Sequence, residues 1–315
     1  MKWKFVIFFF LAVVAILLVS LFFVLKAPAD FPVNSTYTVE KGVGLSSLSI
    51  DLNNKNIIKS SFWFKIFSVL FGGTRGVMAG DYALNSSQNV ITLAKRINEG
   101  NFDLKLISIT IPEGLNVFEI SKLVLQKFKK INEADFIKLA SPDEGYLFPD
   151  TYLFLPNTTT EEIIIELKNN FAKKIETIKD DIINFKKPLT DIIKLASIVE
   201  EEARTTETRR VVAGILWTRL NLNMPLQVDA SFKYINGKVT KDLTLADLKI
   251  DSPYNSYLYK GLPPTPVCNP GLDSILAAIN PIKTNYLYFL SDQAGEIHYA
   301  KTFSEHLKNK ELYLK

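Results

Sequence analysis

Three consecutive glutamates, Glu200, Glu201 and Glu202, are the residues whose type and spacing could do chemistry. They close a stretch that is predicted to form one helix, at the end where the helix dipole is negative and carboxylates are unfavourable. The presence of carboxylates in the last turn therefore needs an explanation other than helix stability. One such reason is proton transfer, because a partly desolvated carboxyl group has a raised pKa and suits a general acid.

The helix that carries these glutamates is predicted to begin after Pro188 and to run to about Arg204. Thr190 is its predicted N-cap, and Asp191 lies in the first turn, where a negative charge is favourable. Apolar residues recur at steps of three and four, which gives the helix one buried face. The residues of this face are Ile192, Leu195, Ala196, Ile198 and Val199.

The three glutamates fall at different positions around this helix. Glu202 continues the edge of the buried face, Glu201 points nearly to the opposite side, and Glu200 lies on the other flank. The helical wheel therefore favours Glu202 as a general acid, with Glu200 second. A solvated helix end, or an ion pair with Arg204 or Arg209, is the alternative interpretation of the same glutamates.

The composition excludes several classes of function. The chain has 315 residues, with 37 Lys and Arg against 33 Asp and Glu, and it has no basic stripe, so no nucleic-acid partner is predicted. Cys268 is the single cysteine, which excludes an internal disulfide and favours a bacterial envelope over an animal extracellular space. His298 and His306 have no cysteine or carboxylate cluster in metal-ligand spacing, so neither a metal nor another cofactor is predicted.

An almost uninterrupted apolar run occupies residues 5–25. At about 1.5 Å per residue a helix of this length spans roughly 30 Å, the thickness of the hydrocarbon core of a bilayer. Lys2 and Lys4 precede the run, so residues 1–4 are predicted to be cytoplasmic, with a transmembrane helix over 5–25 and a linker over 26–36. A cleaved signal peptide is the alternative, which the length of the run disfavours.

The remainder of the chain mixes predicted strands and helices, which indicates an α+β fold. Alternating residues predict a strand over 104–111, and the segments 286–290 and 297–300 predict a hairpin. The apolar segment 60–71 is too short to span a bilayer; it is predicted to be a core helix, with a membrane-interfacial helix as the alternative. The aromatic segment 144–152 is either a packed loop or a sugar-stacking surface.

Several short motifs, spaced in order along the chain, resemble those of the YceG-type endolytic murein transglycosylases. They are IPEG at 111–114, EGYLFPDTY at 144–152, LASIVEEE at 195–202, LQVD at 226–229, SPYNSY at 252–257, GLPPTPVCNPG at 261–271, YF at 288–289, His298 and FSEH at 303–306. The resemblance covers the whole chain. It has two departures, since Cys268 lies in a proline loop and Glu201 stands where the family often has a basic residue.

The resemblance implies a domain organisation and a location. It implies a single N-terminal transmembrane helix, a small LysM-like α/β domain over residues 37–108, and a mixed α+β YceG-type catalytic domain over residues 109–315. The protein would be a single-pass protein of the bacterial cytoplasmic (inner) membrane, with its catalytic domain on the extracytoplasmic side. Its implied partners are peptidoglycan glycan strands and peptidoglycan synthases.

The resemblance also implies an activity, with Glu202 matching the family's catalytic glutamate by position. A lyase of this family cleaves the β-1,4 bond between N-acetylmuramic acid and N-acetylglucosamine in nascent glycan strands, which leaves 1,6-anhydro ends and terminates strand elongation. The residues agree with this chemistry. A hydrolytic glycosidase typically needs two carboxylates, whereas a lytic enzyme can use one acid that then accepts the proton of the substrate's C6 hydroxyl group.

Five further residues are candidates for binding the sugar or for orienting Glu202, with a purely structural role as the alternative. They are Gln227, Asp229, Tyr254, Asn255 and Tyr257. Asp229 matters most, because a second acid close to Glu202 would restore a hydrolytic mechanism. Two other functions stay open: a muramidase that uses water, and a non-catalytic scaffold that binds peptidoglycan through the LysM-like domain.

Overall fold

The computed structural model describes residues 2–72, 76–104, 106–156, 158–238 and 242–314, with only part of the side chains of the first helix. The chain divides into two units. The first unit comprises Met1–Leu106 with Leu155–Asn157, and the second comprises Ile107–Phe154 with Thr158–Lys315. Both units combine helices with small antiparallel sheets, so the predicted mixed α+β class is confirmed.

In the first unit, a two-stranded sheet and three helices share one core. The elements are α1 Lys2–Leu25, β1 Ser35–Val39, α2 Leu45–Asn54, α3 Ser61–Gly72, β2 Gly80–Leu84 and α4 Val90–Glu99. β1 pairs with β2 in antiparallel register, with Tyr37 opposite Tyr82. Leu52, Phe64 and Ile97, one from each of α2, α3 and α4, are fully buried in this core.

α1 covers the apolar run that the sequence predicts to cross a membrane. Many of its side chains lie outside the described part of the chain. Within the part that the structure describes, no helix is both long enough and apolar enough to span a bilayer, so the transmembrane helix stays a prediction.

α3 corresponds to the segment that was predicted to be a core helix. Phe64 and Ser68 are buried, whereas Phe62, Val69 and Leu70 are exposed. The core prediction is therefore correct for one face of the helix and wrong for the other. A segment that is apolar on nearly all sides has no periodicity from which an exposed face could be identified.

The second unit consists of helices around two short antiparallel sheets. The elements are β3 Ile107–Thr110, α5 Val117–Lys127, α6 Glu133–Ala140, β4 Thr151–Phe154, α7 Thr160–Glu176, α8 Lys179–Phe185, α9 Leu189–Glu202, α10 Thr206–Asn221, α11 Ala230–Asn236, α12 Leu272–Ile279, β5 Tyr288–Ser291, β6 Ile297–Ala300 and α13 Phe303–Tyr313. β3 pairs with β4, and β5 pairs with β6 as the predicted hairpin. Residue 105 of the predicted strand over 104–111 lies outside the described residues.

α9 lies at the centre of the largest core of this unit, with α10 and α12 packed against it. Its predicted apolar face is confirmed, since every residue of that face is buried. The predicted N-cap at Thr190 is wrong. The carbonyl oxygen of Pro188 already accepts the N–H groups of Asp191 and Ile192, so Pro188 is the N-cap.

α10 approaches the chain that follows α12 so closely that the contact requires a glycine. A Cβ atom on Gly214 would lie 2.1 Å from the carbonyl oxygen of Ile282. Two hydrogen bonds hold that segment in place, because Ile282 N–H donates to the carbonyl of Arg210, and Arg210 Nε donates to the carbonyl of Asn280. The clash would be with backbone, so no side-chain rotation could relieve it.

Gly214→Ala is expected to lower the free energy of unfolding by about 2 kcal/mol, because overpacking here outweighs the roughly 1 kcal/mol that alanine gains over glycine within a helix. Urea unfolding of the two proteins measures the difference. Gly44→Ala is the matched control, since a Cβ atom there would meet nothing within 4 Å. Equal stability changes for the two variants would contradict the close approach at Gly214.

Candidate active site

Glu202 is the last residue of α9, and its carboxyl group contacts the start of α11. Its Oε1 accepts the N–H of Ala230 at 3.4 Å. Burial raises the pKa of Glu202 to about 7, and the negative charge of Asp229 adds to this shift, while backbone N–H groups at Ala230 and Asp229 oppose it. A carboxyl group with a pKa near neutrality can donate a proton and then accept one.

Asp229 is the second acid near Glu202, as the sequence suggested it could be. One of its carboxylate oxygens accepts the hydroxyl group of Tyr257 at 2.7 Å. Burial, together with the Asp229 carboxylate, raises the pKa of Tyr257, so the phenol stays protonated and keeps donating to Asp229. The structure therefore brings Glu202, Asp229 and Tyr257 together.

Asn255 holds the shape of the loop that carries Tyr257. The side chain is fully buried, and its amide group donates to the carbonyls of Leu248 and Ile250. Its Oδ1 accepts the backbone N–H of Tyr257 at 3.0 Å. Every polar atom of the Asn255 side chain thus has a partner within the loop, so a direct contact with a sugar, which the sequence suggested, does not fit this arrangement.

Gln227 and Tyr254 lie at the surface of the same region. Gln227 is exposed and has φ of +48°, a left-handed backbone conformation that is strained for a residue other than glycine. The neighbouring segment is fixed by Ser256, whose carbonyl accepts the N–H of Gln227. Tyr254 is half-buried, with its hydroxyl 2.9 Å from Thr265 Oγ1 and its ring 4.8 Å from that of Tyr234 between centroids. Both side chains remain candidates for contact with a ligand.

Glu200 is committed to a buried ion pair. Its Oε1 lies 2.5 Å from Nη2 of Arg209, and its Oε2 accepts the N–H of Gly271 at 2.9 Å. Arg209 also pairs with Asp273 at 2.7 Å. The ion pair with Arg209 that the sequence left open as an alternative is therefore correct for Glu200, which leaves no role for it as an acid.

Glu201 is exposed at the end of α9, and it also has a cationic partner. Nζ of Lys233 lies 3.1 Å from Glu201 Oε1, 3.2 Å from Glu119 Oε2 and 3.1 Å from the carbonyl of Gly114. Lys233 was not among the predicted site residues. A single lysine in the segment that follows Asp229 gives no signal that a glutamate 32 residues away will bind it.

A buried amide ties together the three segments that surround the glutamates. Asn269 Oδ1 accepts the N–H groups of Gly145 and Leu147, and Asn269 Nδ2 donates to the carbonyl of Leu115 and to Glu144 Oε1. Burial raises the pKa of Glu144 to about 7. The motifs around residues 114, 145 and 269 are thereby joined through a single side chain, which explains the need for asparagine at the last position.

Comparisons with known proteins identify the family of the chain. A sequence model of the YceG-like family matches residues 37–312. The chain belongs to the YceG-like family. The resemblance that the motifs indicated is thus confirmed.

Two relatives and one solved structure illustrate the match. A Bacillus subtilis (strain 168) protein named endolytic murein transglycosylase is 32% identical over 303 residues, which cover 88% of this chain and 84% of that protein. A Streptococcus pneumoniae (strain D39) protein of the same name is 30% identical over 316 residues, covering 87% of this chain and 57% of that protein. A crystal structure of a YceG-like protein from Listeria monocytogenes has a TM-score of 0.59 at 30% identity, covering 87% of this chain and 98% of that one.

A possible metal-ligand group in this YceG-like chain lies in the β5–β6 hairpin. Ligand atoms of Asp292, Glu296 and His298 lie within 4.8 Å of one another. This group was not predicted from the sequence, because the hairpin turn creates the proximity. His298 Nε2 is already 2.9 Å from Asp292 Oδ2, and its ring stacks on Tyr313 at 3.5 Å between centroids. These two contacts explain the position of His298 beside Asp292 without a metal.

The raised pKa of Glu202 predicts how stability depends on pH. Because the folded pKa of about 7 lies above the ordinary value of 4.5, Glu202 favours folding at low pH, and this contribution is lost as the pH rises from about 4.5 through 7. Glu202→Gln removes the titration. It is therefore expected to be more stable than the parent at pH 8, by at most about 3 kcal/mol, and to lose this advantage near pH 4.

Urea unfolding of parent and variant at pH 4, 6 and 8 measures this dependence. Glu166→Gln is the control, because it makes the same substitution at an exposed position on α7. A stability difference between Glu202→Gln and the parent that stays constant with pH would contradict the raised pKa.

Proposed function

We propose that this protein is an endolytic murein transglycosylase, a lyase that cleaves the β-1,4 bond between N-acetylmuramic acid and N-acetylglucosamine and leaves 1,6-anhydro ends. The proposal is carried by Glu202. Among the described residues, Glu200 and Glu201 each have a cationic partner, whereas Glu202 has backbone contact and a pKa of about 7. The name of the curated relatives supports the same activity.

A single carboxyl group suffices for this reaction. Protonated Glu202 donates its proton to the glycosidic oxygen, and the bond from that oxygen to C1 of N-acetylmuramic acid breaks. The Glu202 carboxylate then accepts the proton of the C6 hydroxyl of the same sugar, whose oxygen bonds to C1. The products are a free hydroxyl on one fragment and a 1,6-anhydro ring on the other. Glu202 ends protonated, and no water is consumed.

Asp229 affects the proton transfers of Glu202 through its negative charge. Its negative charge adds to burial in raising the pKa of Glu202 to about 7, so a substantial fraction of the acid is protonated at neutral pH before the sugar binds. The Tyr257 hydroxyl already occupies one Asp229 oxygen, which makes that carboxylate less available to activate a water. This arrangement favours the lytic reaction over the hydrolytic alternative, in which a second carboxylate serves as base or nucleophile.

The anchor and the domain assignment belong to the same proposal. The apolar run at residues 5–25 supports a single membrane-spanning anchor with residues 1–4 in the cytoplasm, and the family supports a place in the bacterial envelope. β1, α2, α3 and β2 follow one another in the order strand–helix–helix–strand and share one core with α4, which supports a LysM-like domain over 37–108 before a catalytic domain over 109–315. Peptidoglycan synthases are the proposed protein partners.

A cavity in the first unit favours a second activity, the binding of glycan without cleavage. It measures about 670 Å³ and lies between β1 and α2. Tyr37 and Asp51 are among its polar lining residues, and they are joined by a hydrogen bond of 2.6 Å. Binding at this cavity would serve a scaffold as well as an enzyme, so cleavage is what separates the two functions.

Glu202→Gln is expected to reduce glycan cleavage about 10²–10⁴-fold, the usual contribution of a general acid–base group. Purified glycan strands are digested with the full chain, and the new ends are identified by mass spectrometry. The parent and Glu166→Gln should both produce 1,6-anhydro ends. Reducing ends would support the muramidase, absence of cleavage by the parent would support the scaffold, and full activity of Glu202→Gln would exclude this residue as the acid.

Asp229→Asn is expected to lower the pKa of Glu202, because it removes the negative charge that helps to raise it. Cleavage requires protonated Glu202, so activity falls as the pH rises through its pKa, and this falling limb should move to lower pH in the variant. The pH dependence of kcat/KM measures the shift. Complete loss of cleavage at every pH would instead identify Asp229 as a second catalytic acid or base.

A further inference from the structure

α3 exposes a continuous apolar face to solvent. Phe62, Ile66, Val69 and Leu70 are 62%, 38%, 67% and 72% exposed, and their spacing of four, three and one residues places them on one side of the helix. These four residues are the apolar face of α3. The opposite side, with Phe64 and Ser68, is buried in the core of the first unit. Contiguous exposed apolar side chains of this size mark an interaction surface.

The apolar face of α3 lies in the same unit as the end of the proposed anchor. Lys59, two residues before α3, donates from Nζ to the carbonyl of Phe23 in α1 at 3.1 Å. Leu25 at the end of α1 packs against the same core as Trp63 and Phe67 of α3. α3 therefore starts beside the place where α1 ends.

The last turns of α1 also expose apolar side chains. Val19, Phe22 and Phe23 are all more than half exposed. If α1 enters a bilayer, these residues are immersed in it, and an apolar helix that starts at its exit point lies at the depth of the lipid headgroups. The partner of the α3 face is thus indicated by the hydrogen bond between Lys59 and Phe23, which brings the start of α3 beside a segment that needs a lipid environment.

The charged residues around α3 also match a lipid surface. Lys26, Lys59 and Lys65 lie at the end of α1, just before α3 and on α3, and α3 itself has no acidic residue. Nζ of Lys26 lies 4.7 Å above the ring of Phe22, so its aliphatic part covers apolar surface while its charge stays near water. Lysines beside aromatic residues are typical of helices that lie on anionic phospholipids.

The length of α3 determines its orientation. It has 12 residues, and at about 1.5 Å per residue it extends roughly 18 Å, well short of the hydrocarbon thickness of a bilayer. It cannot cross the membrane, and its buried face holds it to the core of the unit. An orientation in the plane of the interface satisfies both constraints.

We infer that the apolar face of α3 lies on the outer surface of the membrane that α1 enters, in contact with anionic phospholipids. This inference rests on the proposed anchor and on no part of the proposed chemistry. It gives the first unit a second membrane contact beside α1. The membrane-interfacial alternative for residues 60–71 thereby replaces the core helix for this face.

The test measures the contact of individual positions with lipid in the full chain. The protein is placed in nanodiscs of phosphatidylethanolamine and phosphatidylglycerol, and a fluorophore is attached to Val69→Cys. Cys268 is fully buried and should not react, which the labelling of the parent checks. Lipids that carry a nitroxide quench only fluorophores in contact with the bilayer.

Two further variants make the result decisive. Val13→Cys reports on α1, and Ile50→Cys is the matched control, an exposed apolar residue on α2 in the same unit. We expect strong quenching at positions 13 and 69 and none at position 50. Quenching at 13 with none at 69 would overturn the inference and keep the anchor. Absence of quenching at 13 would overturn the anchor and the inference with it, while glycan cleavage would remain a separate measurement.

Discussion

The ion pair between Arg209 and Glu200 is the contact on which the rest of the site depends. It lies at the negative end of α9, where three carboxylates in succession would repel one another and the helix dipole. Both partners are largely buried, with side chains 11% and 5% exposed, and loss of one partner of such a pair leaves an uncompensated charge. Lys233 forms the corresponding ion pair with Glu201. With Glu200 and Glu201 committed to these cations, Glu202 is the member of the triplet whose carboxyl group is left to burial and to the negative charge of Asp229, which raise its pKa.

The surrounding loops help to hold the three glutamates in their different environments. The N–H of Gly271 donates to Glu200, and Nζ of Lys233 donates to the carbonyl of Gly114. Asn269 joins both of these segments to Gly145, because its Oδ1 accepts the N–H of Gly145. Segments distant in sequence thus converge on one helix end. In the proposed mechanism the chemistry resides in Glu202 and its neighbour Asp229, while most of the recognisable motifs hold the backbone in place around them.

The sequence predicted α9 and its buried face correctly, because a helical period is a local property. The assignment of Glu202 as the acid stays a prediction. The activity was predicted from the family motifs. What could not be predicted depends on pairings across the fold: Lys233 as the partner of Glu201, and the buried place of Asn255. The error at Thr190 has a local cause, since the carbonyl of Pro188 starts the helix earlier. The exposed face of α3 could not be predicted either, because the segment is apolar on nearly all sides and has no periodicity.

Gln227 combines an exposed side chain with a left-handed backbone, at a position two residues before Asp229. Such a conformation costs about 1 kcal/mol or more for a residue with a Cβ atom, and a glycine would adopt it freely. The chain thus gives up conformational stability at the margin of its reactive centre while it presents an amide to solvent there. Replacing Gln227 by glycine to make the protein more heat-resistant would therefore change the segment in which the proposed mechanism places the sugar.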